Sequence, residues 1–259
     1  MCIRDSSSSA VRNRHAPRGG LEYDTPQEMT KEDIQEVLTQ FRKGAENAKK
    51  AGFDGLELHA ANGYLVDQFL RDAVNQRKDE YGGSVENRCR FALEVMDNLI
   101  DVFGADKVGI KVTPTGRFND MFDSDPVALY TYLFSELNKG NVSFVEITRA
   151  PEFRPVPNYY NIKGEEQIPN IYETFRAVFK GFIMANNGFN FESGSKIVED
   201  GLVDFVTFGR LYISNPDLVY RFKNNFPLTI ADEKTFYTPG ATGYTDYKPY
   251  SADESVSKF

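Results

Sequence analysis

Three polar residues have the types and the spacing to act on a carbonyl compound. His59 and Asn62 lie three positions apart, and each carries a neutral hydrogen-bond donor that could hold one carbonyl oxygen. Tyr64 follows with a phenolic proton that it could donate to a developing carbanion. Taken alone the pattern is weak, because a satisfied buried histidine and a core tyrosine would produce the same spacing. The chemical hypothesis therefore depends on the elements that hold these residues.

Two glycine-containing segments are candidates for binding a phosphate group. Asn187 and Gly188 come directly after one predicted strand, and Gly209 and Arg210 follow the next one. Glycine lets backbone N–H groups approach an anion, and an arginine guanidinium can bind phosphate through two hydrogen bonds. Asn-Asn-Gly is more often a simple turn, so it is the position of both segments after successive strands that favours a phosphate site.

Lys111 is a charged residue inside an otherwise apolar predicted strand. A cation there would stabilise an anionic ligand at the end of the strand. The alternative is structural, namely an ion pair with an acidic residue of the core.

Repeated units of a helix followed by a short strand position these residues. Thr30 and Asp33 predict the start of the first helix, and Gly52 predicts its end. The remaining predicted helices lie near 86–103, 125–138, 170–179 and 191–200, and the strands cover 55–58, 108–112, 143–147, 181–185 and 203–208. Residues 1–29 are predicted to be irregular, because Ser6–Ser9 is of low complexity and proline and glycine interrupt any period.

Alternating helices and strands predict an α/β fold with a parallel sheet, which forms either a (β/α)8 TIM barrel or a doubly wound sheet. Polar residues follow each strand, as they do on the active face of a barrel. No G-x-G-x-x-G follows any strand, which weakens the doubly wound alternative. A barrel needs eight strands and five are visible, so periodicity alone predicts either an incomplete barrel or one that closes in a way the pattern does not reveal.

Composition excludes several classes of protein. The formal charge of −8 argues against a nucleic-acid surface, and no apolar run is long enough to span a membrane. Two cysteines cannot form a disulfide framework and fit a reducing cytoplasm. Two histidines make a histidine-based metal centre a poor hypothesis.

A long stretch of the sequence resembles the old yellow enzyme family. It runs from Gly52 to Arg90 and contains A-G-F-D-G-L-E-L-H-A-A-N-G-Y-L-V-D-Q-F-L and then N-Q-R-K-D-E-Y-G-G-S-V-E-N-R. The resemblance continues through F-G-R at 208–210 and I-S-N-P-D-L at 213–218, and it reaches G-Y-T-D-Y at 243–247. It covers roughly residues 20–250.

The resemblance implies an FMN-dependent ene-reductase that uses NADPH or NADH as reductant. Such enzymes reduce the C=C bond of small α,β-unsaturated carbonyl or nitro compounds. By resemblance, His59 and Asn62 bind the activating oxygen of the substrate, Tyr64 protonates the α-carbon, and Tyr244 lines the substrate pocket. A homodimer is compatible with the resemblance, which implies neither a nucleic acid nor a membrane as partner.

The cofactor residues implied by the resemblance are Lys111, Asn187, Gly188, Gly209 and Arg210. Two of them depart from the family pattern. Many relatives carry arginine at the position of Lys111, beside the flavin pyrimidine, and lysine keeps the charge but loses the planar fork. Relatives usually have a second glycine where Asn187 stands.

By resemblance, the strand before His59 is the fourth of eight. The chain would then hold strands four to eight, and residues 30–259 would form the C-terminal portion of one FMN-binding TIM barrel. We expect such a portion to be poorly stable alone and to bind FMN weakly or not at all, because an open sheet leaves backbone groups unpaired. Two alternatives remain open at this point. One is a barrel that binds a phosphorylated ligand without flavin, and the other is a non-catalytic remnant.

Overall fold

The computed structural model describes residues 6–14, 23–149 and 168–251. Its main feature is a parallel sheet of five strands that neighbour one another in chain order. The strands are β3 (Leu56–Ala60), β4 (Val108–Val112), β5 (Phe144–Thr148), β6 (Phe182–Asn186) and β7 (Phe205–Thr207). A doubly wound sheet reverses its strand order at a switch point, whereas a barrel keeps chain order. The sheet is therefore that of a truncated (β/α)8 barrel, as predicted.

Helices follow the strands and pack against one face of the sheet. They are α1 (Lys31–Lys50), α2 (Leu65–Leu70), α3 (Val85–Phe103), α4 (Pro126–Lys139), α5 (Ile171–Arg176), α6 (Phe191–Glu199), α7 (Arg210–Ser214) and α8 (Leu218–Asn224). The long helices begin where capping residues predict. Thr30 and Asp33 form a reciprocal capping box at α1, and Asp125 caps α4 ahead of Pro126.

The hydrophobic core lies between the sheet and these helices. Alternate strand residues point toward the helices and are fully or almost fully buried, among them Leu58, Ile110, Val145 and Ile183. The helices add a cluster of aromatic rings formed by Tyr130, Phe134, Phe175 and Phe179. This packed layer holds the strands in place, and the strands in turn position the side chains at their carboxyl ends.

The other face of the sheet is the inner face, and it carries polar and exposed side chains. Glu57, His59 and Lys111 alternate with the buried core residues along β3 and β4. At the amino-terminal end of the sheet, Phe182 and Phe205 contact each other edge to face with ring centroids 5.6 Å apart. Both rings are about half exposed.

The N-terminal segment is more ordered than the prediction of irregular chain. Among its described residues, β1 (Ser6–Ser7) pairs in parallel with β2 (Gln27–Glu28). Ser7 to Ser9 are buried, and the Ser7 hydroxyl donates to the Gln68 side chain at 2.8 Å. Side-chain hydrogen bonds hold this serine run in place. Hydrophobic periodicity therefore could not predict that the segment is ordered. Residues 1–5 and 15–22 of the segment lie outside the described residues.

No described helix is long and apolar enough to cross a membrane. Within the same three ranges, no three metal-ligating side chains of the His, Cys, Asp or Glu type come together.

Candidate functional site

His59 and Tyr64 lie together at the carboxyl end of β3. His59 is the fourth residue of the strand, and Tyr64 is the N-cap residue of α2. Their ring centroids are 5.3 Å apart, and both side chains are exposed on the open side of the sheet. The predicted pair of a hydrogen-bond donor and a phenol is therefore brought within reach of one small molecule.

Asn62 occupies the tight turn between these two residues. Its backbone is left-handed, with φ +58°, a conformation that asparagine tolerates better than most residues. The Asn62 N–H donates to the Thr113 hydroxyl at 2.9 Å, and that hydroxyl donates to Asn62 Oδ1 at 3.4 Å. Asn119 Nδ2 donates to the Asn62 carbonyl at 2.8 Å. Since Oδ1 faces Thr113, the Asn62 amide nitrogen points away from it.

A buried ion pair braces this turn, and sequence reasoning missed it. Asp67 Oδ2 accepts the Gly63 N–H at 2.9 Å. Arg71, one helical turn further, donates to the carbonyls of Thr113 and Gly116 at 2.6 and 3.1 Å. Burial raises the pKa of Asp67 to about 6, although the Arg71 charge opposes that shift. The sequence signal for this ion pair was an aspartate and an arginine four residues apart, directly after the motif that runs from His59 to Tyr64.

The His59 imidazole is held in its neutral form. Partial burial lowers its pKa below the ordinary value, and the nearby Lys111 ammonium lowers it further. Glu146 acts in the opposite direction but is the smallest of the three influences. A neutral imidazole donates one N–H to an oxygen without bringing a positive charge to the site.

Lys111 makes the ion pair that was the structural alternative for this residue. Its Nζ lies 2.6 Å from Glu146 Oε1, directly across the β4–β5 ladder. The same oxygen accepts the Thr207 hydroxyl at 3.0 Å. The pair lies on the inner face, where the lysine keeps partial exposure. The lysine can therefore serve both the ion pair and an anion above it.

Arg149 holds the loop after β6, in which two successive residues have a left-handed backbone. Asn187 and Gly188 both have positive φ, at +76° and +75°. Arg149 donates to the carbonyls of Asn187 and Gly188, each at 2.8 Å, and its own carbonyl accepts the Asn187 amide at 2.9 Å. With both carbonyls turned toward Arg149, the peptide N–H groups of the turn face away from it.

Gly209 and Arg210 lie next to this loop, after the adjacent strand β7. Arg210 is exposed, and an added Cβ at Gly209 would meet no atom within 4 Å. A backbone segment that an anion can approach, next to a guanidinium group, is suited to binding a phosphate. The two predicted phosphate segments therefore follow adjacent strands of the sheet, and their residue types suit a phosphorylated ligand, whose binding there stays a prediction.

Tyr244 is the one predicted site residue that lies on a separate part of the chain. It is exposed in the C-terminal loop, where its N–H donates to the Ala241 carbonyl at 3.0 Å. The neighbouring Gly243 N–H donates to Asp246 at 2.8 Å. These bonds shape the loop locally and leave the pocket role of Tyr244 a prediction.

Sequence comparison relates the chain to known flavin oxidoreductases. The chain matches the profile of the NADH:flavin oxidoreductase / NADH oxidase family over residues 3–229. It is 44% identical over 229 residues to 12-oxophytodienoate reductase 1 of Oryza sativa subsp. japonica, a match that covers 88% of this chain and 59% of the relative. The chain thus spans about three fifths of the length of the curated relatives it matches.

Structural comparison agrees with the sequence match. The fold superposes on morphinone reductase with a TM-score of 0.87 and 32% identity, covering 97% of this chain and 67% of that one. It superposes on the old yellow enzyme homologue from Zymomonas mobilis with a TM-score of 0.85 and 33% identity, covering 96% and 69%. At these identities the likeness extends beyond the fold to the family.

Proposed function

This chain belongs to the NADH:flavin oxidoreductase / NADH oxidase family, the old yellow enzyme family, and from that premise we propose that it is part of an FMN-dependent ene-reductase. The reaction would reduce the C=C bond of α,β-unsaturated carbonyl or nitro compounds with NADH or NADPH. One observation carries the proposal. The neutral His59, the Asn62 amide and the Tyr64 phenol share the carboxyl edge of the sheet that also bears the two phosphate-type loops.

The substrate oxygen would lie between His59 and Asn62. Both supply neutral N–H donors, and the Thr113 hydroxyl orients the asparagine amide for this role. Donors aimed at an oxygen that gains negative charge lower the barrier to addition at the β-carbon. Tyr64 would then donate its phenolic proton to the α-carbon, which completes the saturated product. The 5.3 Å between the His59 and Tyr64 rings leaves room for both contacts on one small molecule.

FMN is the cofactor of this family, and NAD(P)H is its reductant. When bound, FMN supplies the hydride that is added to the β-carbon. On this chain, the N–H groups of the loop at Asn187 and Gly188, the open backbone at Gly209 and the Arg210 guanidinium would hold its phosphate. Lys111 would offer its ammonium to the pyrimidine end from the inner face of the sheet.

We also propose that the complete catalytic unit is longer than the described sheet and works in the cytoplasm. Relatives of the family extend well beyond the matched region, and further strands would close the inner face. Cys89 is a buried free thiol whose pKa burial raises to about 12, so it is an inert packing residue, and a free thiol is compatible with the proposed reducing cytoplasm.

The test is an anaerobic assay with saturating FMN, NADPH and 2-cyclohexenone, followed by gas chromatography. We expect cyclohexanone to form and expect a His59→Ala/Asn62→Ala double variant to lose that activity while it still oxidises NADPH. Oxidation of NADPH with no saturated product from the parent protein would contradict the assignment of substrate class. Complete absence of flavin reduction even in a protein that includes the further strands would instead favour a phosphorylated ligand without flavin.

A further inference from the structure

Two side-chain amides hold the carbonyl groups of the turn formed by Asn62 and Gly63. Asn119 Nδ2 donates to the Asn62 carbonyl at 2.8 Å, and Gln68 Nε2 donates to the Gly63 carbonyl at 2.7 Å. The two N–H groups of the turn also bind side chains, as described above. Each main-chain polar group of the turn is thus bound by a side chain. The position of the turn, and of Tyr64 directly after it, therefore depends on how these side chains are held.

The other end of each amide contacts the N-terminal segment. The Ser7 hydroxyl donates to Gln68 Oε1 at 2.8 Å, and Asn13 Nδ2 donates to Asn119 Oδ1 at 3.4 Å. The segment is itself anchored to α2, because the Ser8 hydroxyl donates to the Gln68 carbonyl at 2.8 Å. Two hydrogen-bonded relays result, Ser7–Gln68–Gly63 and Asn13–Asn119–Asn62.

The chemistry of the amide group fixes the direction of both relays. A backbone carbonyl only accepts hydrogen bonds, so the NH2 end of each side-chain amide must face the turn. The amide oxygen then faces the N-terminal segment, where it needs a donor, and Ser7 and Asn13 each provide one. Without these donors, either amide could rotate and release the carbonyl of the turn.

The loop after β4 packs closely on the turn, and the N-terminal segment holds this loop as well. An added Cβ at Gly63 would lie 2.5 Å from Asn119 Cβ. Asn119 and Asp120 both have a left-handed backbone, with φ +57° and +65°, which few residues adopt without support. The Arg14 main-chain N–H and Nε donate to Asp120 Oδ2 at 3.2 and 2.8 Å and supply that support.

We infer that the N-terminal segment from Ser7 to Asn13 positions the turn through the side-chain amides of Gln68 and Asn119. Both are positioning residues, because they act on the chemistry through the backbone between His59 and Tyr64. The statement about chemistry rests on the proposed function, whereas the statement about the turn does not.

The first test is amide hydrogen exchange in the ligand-free parent chain, followed by NMR. The Gln68 side-chain amide protons should exchange more slowly than those of Gln27, whose side chain is exposed. Equally fast exchange at Gln68 and Gln27 would overturn the inference, whether or not any variant folds.

Two serine variants then separate the relay from the packing of the N-terminal segment. Ser7→Ala removes the donor to Gln68, and we expect exchange at the Gly63 N–H to become about fivefold faster, the scale of one hydrogen bond. Ser9→Ala is the matched control, because the buried Ser9 hydroxyl accepts the Gln76 N–H at 2.9 Å and belongs to neither relay. Exchange at Gly63 that is unchanged in Ser7→Ala, or that rises equally in Ser9→Ala, would overturn the inference.

A double variant tests whether Ser7 acts through Gln68. Gln68→Met removes both hydrogen bonds of the side-chain amide at similar length, so exchange at Gly63 should rise at least as much as in Ser7→Ala. Adding Ser7→Ala to Gln68→Met should then change nothing further. Additive effects of the two substitutions would show that Ser7 acts on the turn by another route.

The effect on chemistry is measured with 2-cyclohexenone in stopped-flow experiments on the two half-reactions. We expect Gln68→Met to slow reduction of the alkene by about tenfold or more, because a small misplacement of the proton donor is costly. Reduction of the flavin by NADPH should stay at the parent rate. Alkene reduction at the parent rate in Gln68→Met would overturn the positioning role. A parent protein that reduces its flavin but forms no cyclohexanone would instead contradict the proposed function, and hydrogen exchange would still decide whether the relays hold the turn.

Discussion

At the level of single residues, the Tyr64 hydroxyl is the group that the proposed chemistry can least replace. Tyr64→Phe keeps the ring next to His59 and removes only the proton donor. We expect turnover of an activated alkene to fall by about 100-fold or more, because a positioned general acid contributes on that scale. Reduction of the flavin by NADPH should be unaffected, and stopped-flow measurement of the two half-reactions separates these outcomes.

Tyr220→Phe is the matched control, since Tyr220 is an exposed tyrosine on α8. It should leave both half-reactions unchanged. If Tyr64→Phe behaves like this control, then solvent or another group supplies the proton, and the proposed role of Tyr64 as proton donor is wrong.

A second prediction for a single residue concerns the charge of His59. Its pKa is lowered by burial and by Lys111, so removal of the lysine charge in Lys111→Met should raise that pKa. The chain has two histidines, and His15 therefore serves as an internal reference in an NMR titration. A His59 pKa that is unchanged in Lys111→Met would mean that the two side chains do not interact.

The sequence predicts the types of residue at this site better than their contacts. Spacing singled out His59, Asn62 and Tyr64, and the structure places them at the end of β3, in the turn that follows and at the start of α2. It could not show that Thr113 and Asn119, about fifty residues away, would fix that turn. Glu146 was visible as an acid within an apolar strand, but its pairing with Lys111 depends on the register of the sheet.

At the level of secondary structure, the loop after β6 permits a controlled test. In Gly188→Ala, the new Cβ would lie 2.9 Å from an Arg149 guanidinium nitrogen, at a residue with φ +75°. We expect this variant to displace Arg149 and to weaken FMN binding. Gly201→Ala imposes similar backbone strain at φ +71° but meets no atom within 4 Å. The strain alone costs about 1–2 kcal/mol in either variant.

Urea unfolding and FMN titration of the two variants separate the effect of backbone strain from the effect of the new Cβ on Arg149. Both should lose stability, and only Gly188→Ala should lose affinity for FMN. Equal FMN affinity in the two variants would show that the Asn187–Gly188 loop does not contact the ligand.

The starts of the long helices follow from local chemistry, whereas the existence of the short helices does not. Side-chain caps at Thr30, Ser84 and Asp125 fix the starts of the long helices, and these lie within a residue or two of the predicted starts. In contrast, α2, α7 and α8 have five to seven residues each, which is too short for a periodic pattern. Tertiary contacts hold them instead, such as the hydrogen bond from the Ser7 hydroxyl to Gln68 in α2.

For the whole molecule, the two faces of the sheet should respond differently to truncation of a phenylalanine. Phe134 is fully buried among the helices, so Phe134→Ala should cost about 3–5 kcal/mol in the free energy of unfolding. Phe182 and Phe205 are half exposed on the inner face, so each ring lost in a Phe182→Ala/Phe205→Ala variant should cost about 1–2 kcal/mol, less than the loss of Phe134. That double variant should also bind less of an apolar dye such as ANS.

Unfolding at several protein concentrations provides the control. A large cost for the double variant that grows with concentration would mean that a second copy of the chain covers the inner face. In that case the expectation of an open and poorly stable sheet is wrong.

The central claim is that the carboxyl edge of this sheet binds FMN through the loops after β6 and β7. The most direct measurement is a titration of the 15N-labelled chain with FMN, followed through amide shifts, because this method detects even weak binding. We predict saturable shifts at Gly188, Gly209 and Arg210 that riboflavin, which lacks the phosphate, does not produce. Shifts confined to other parts of the chain, or equal shifts with riboflavin, would contradict the account.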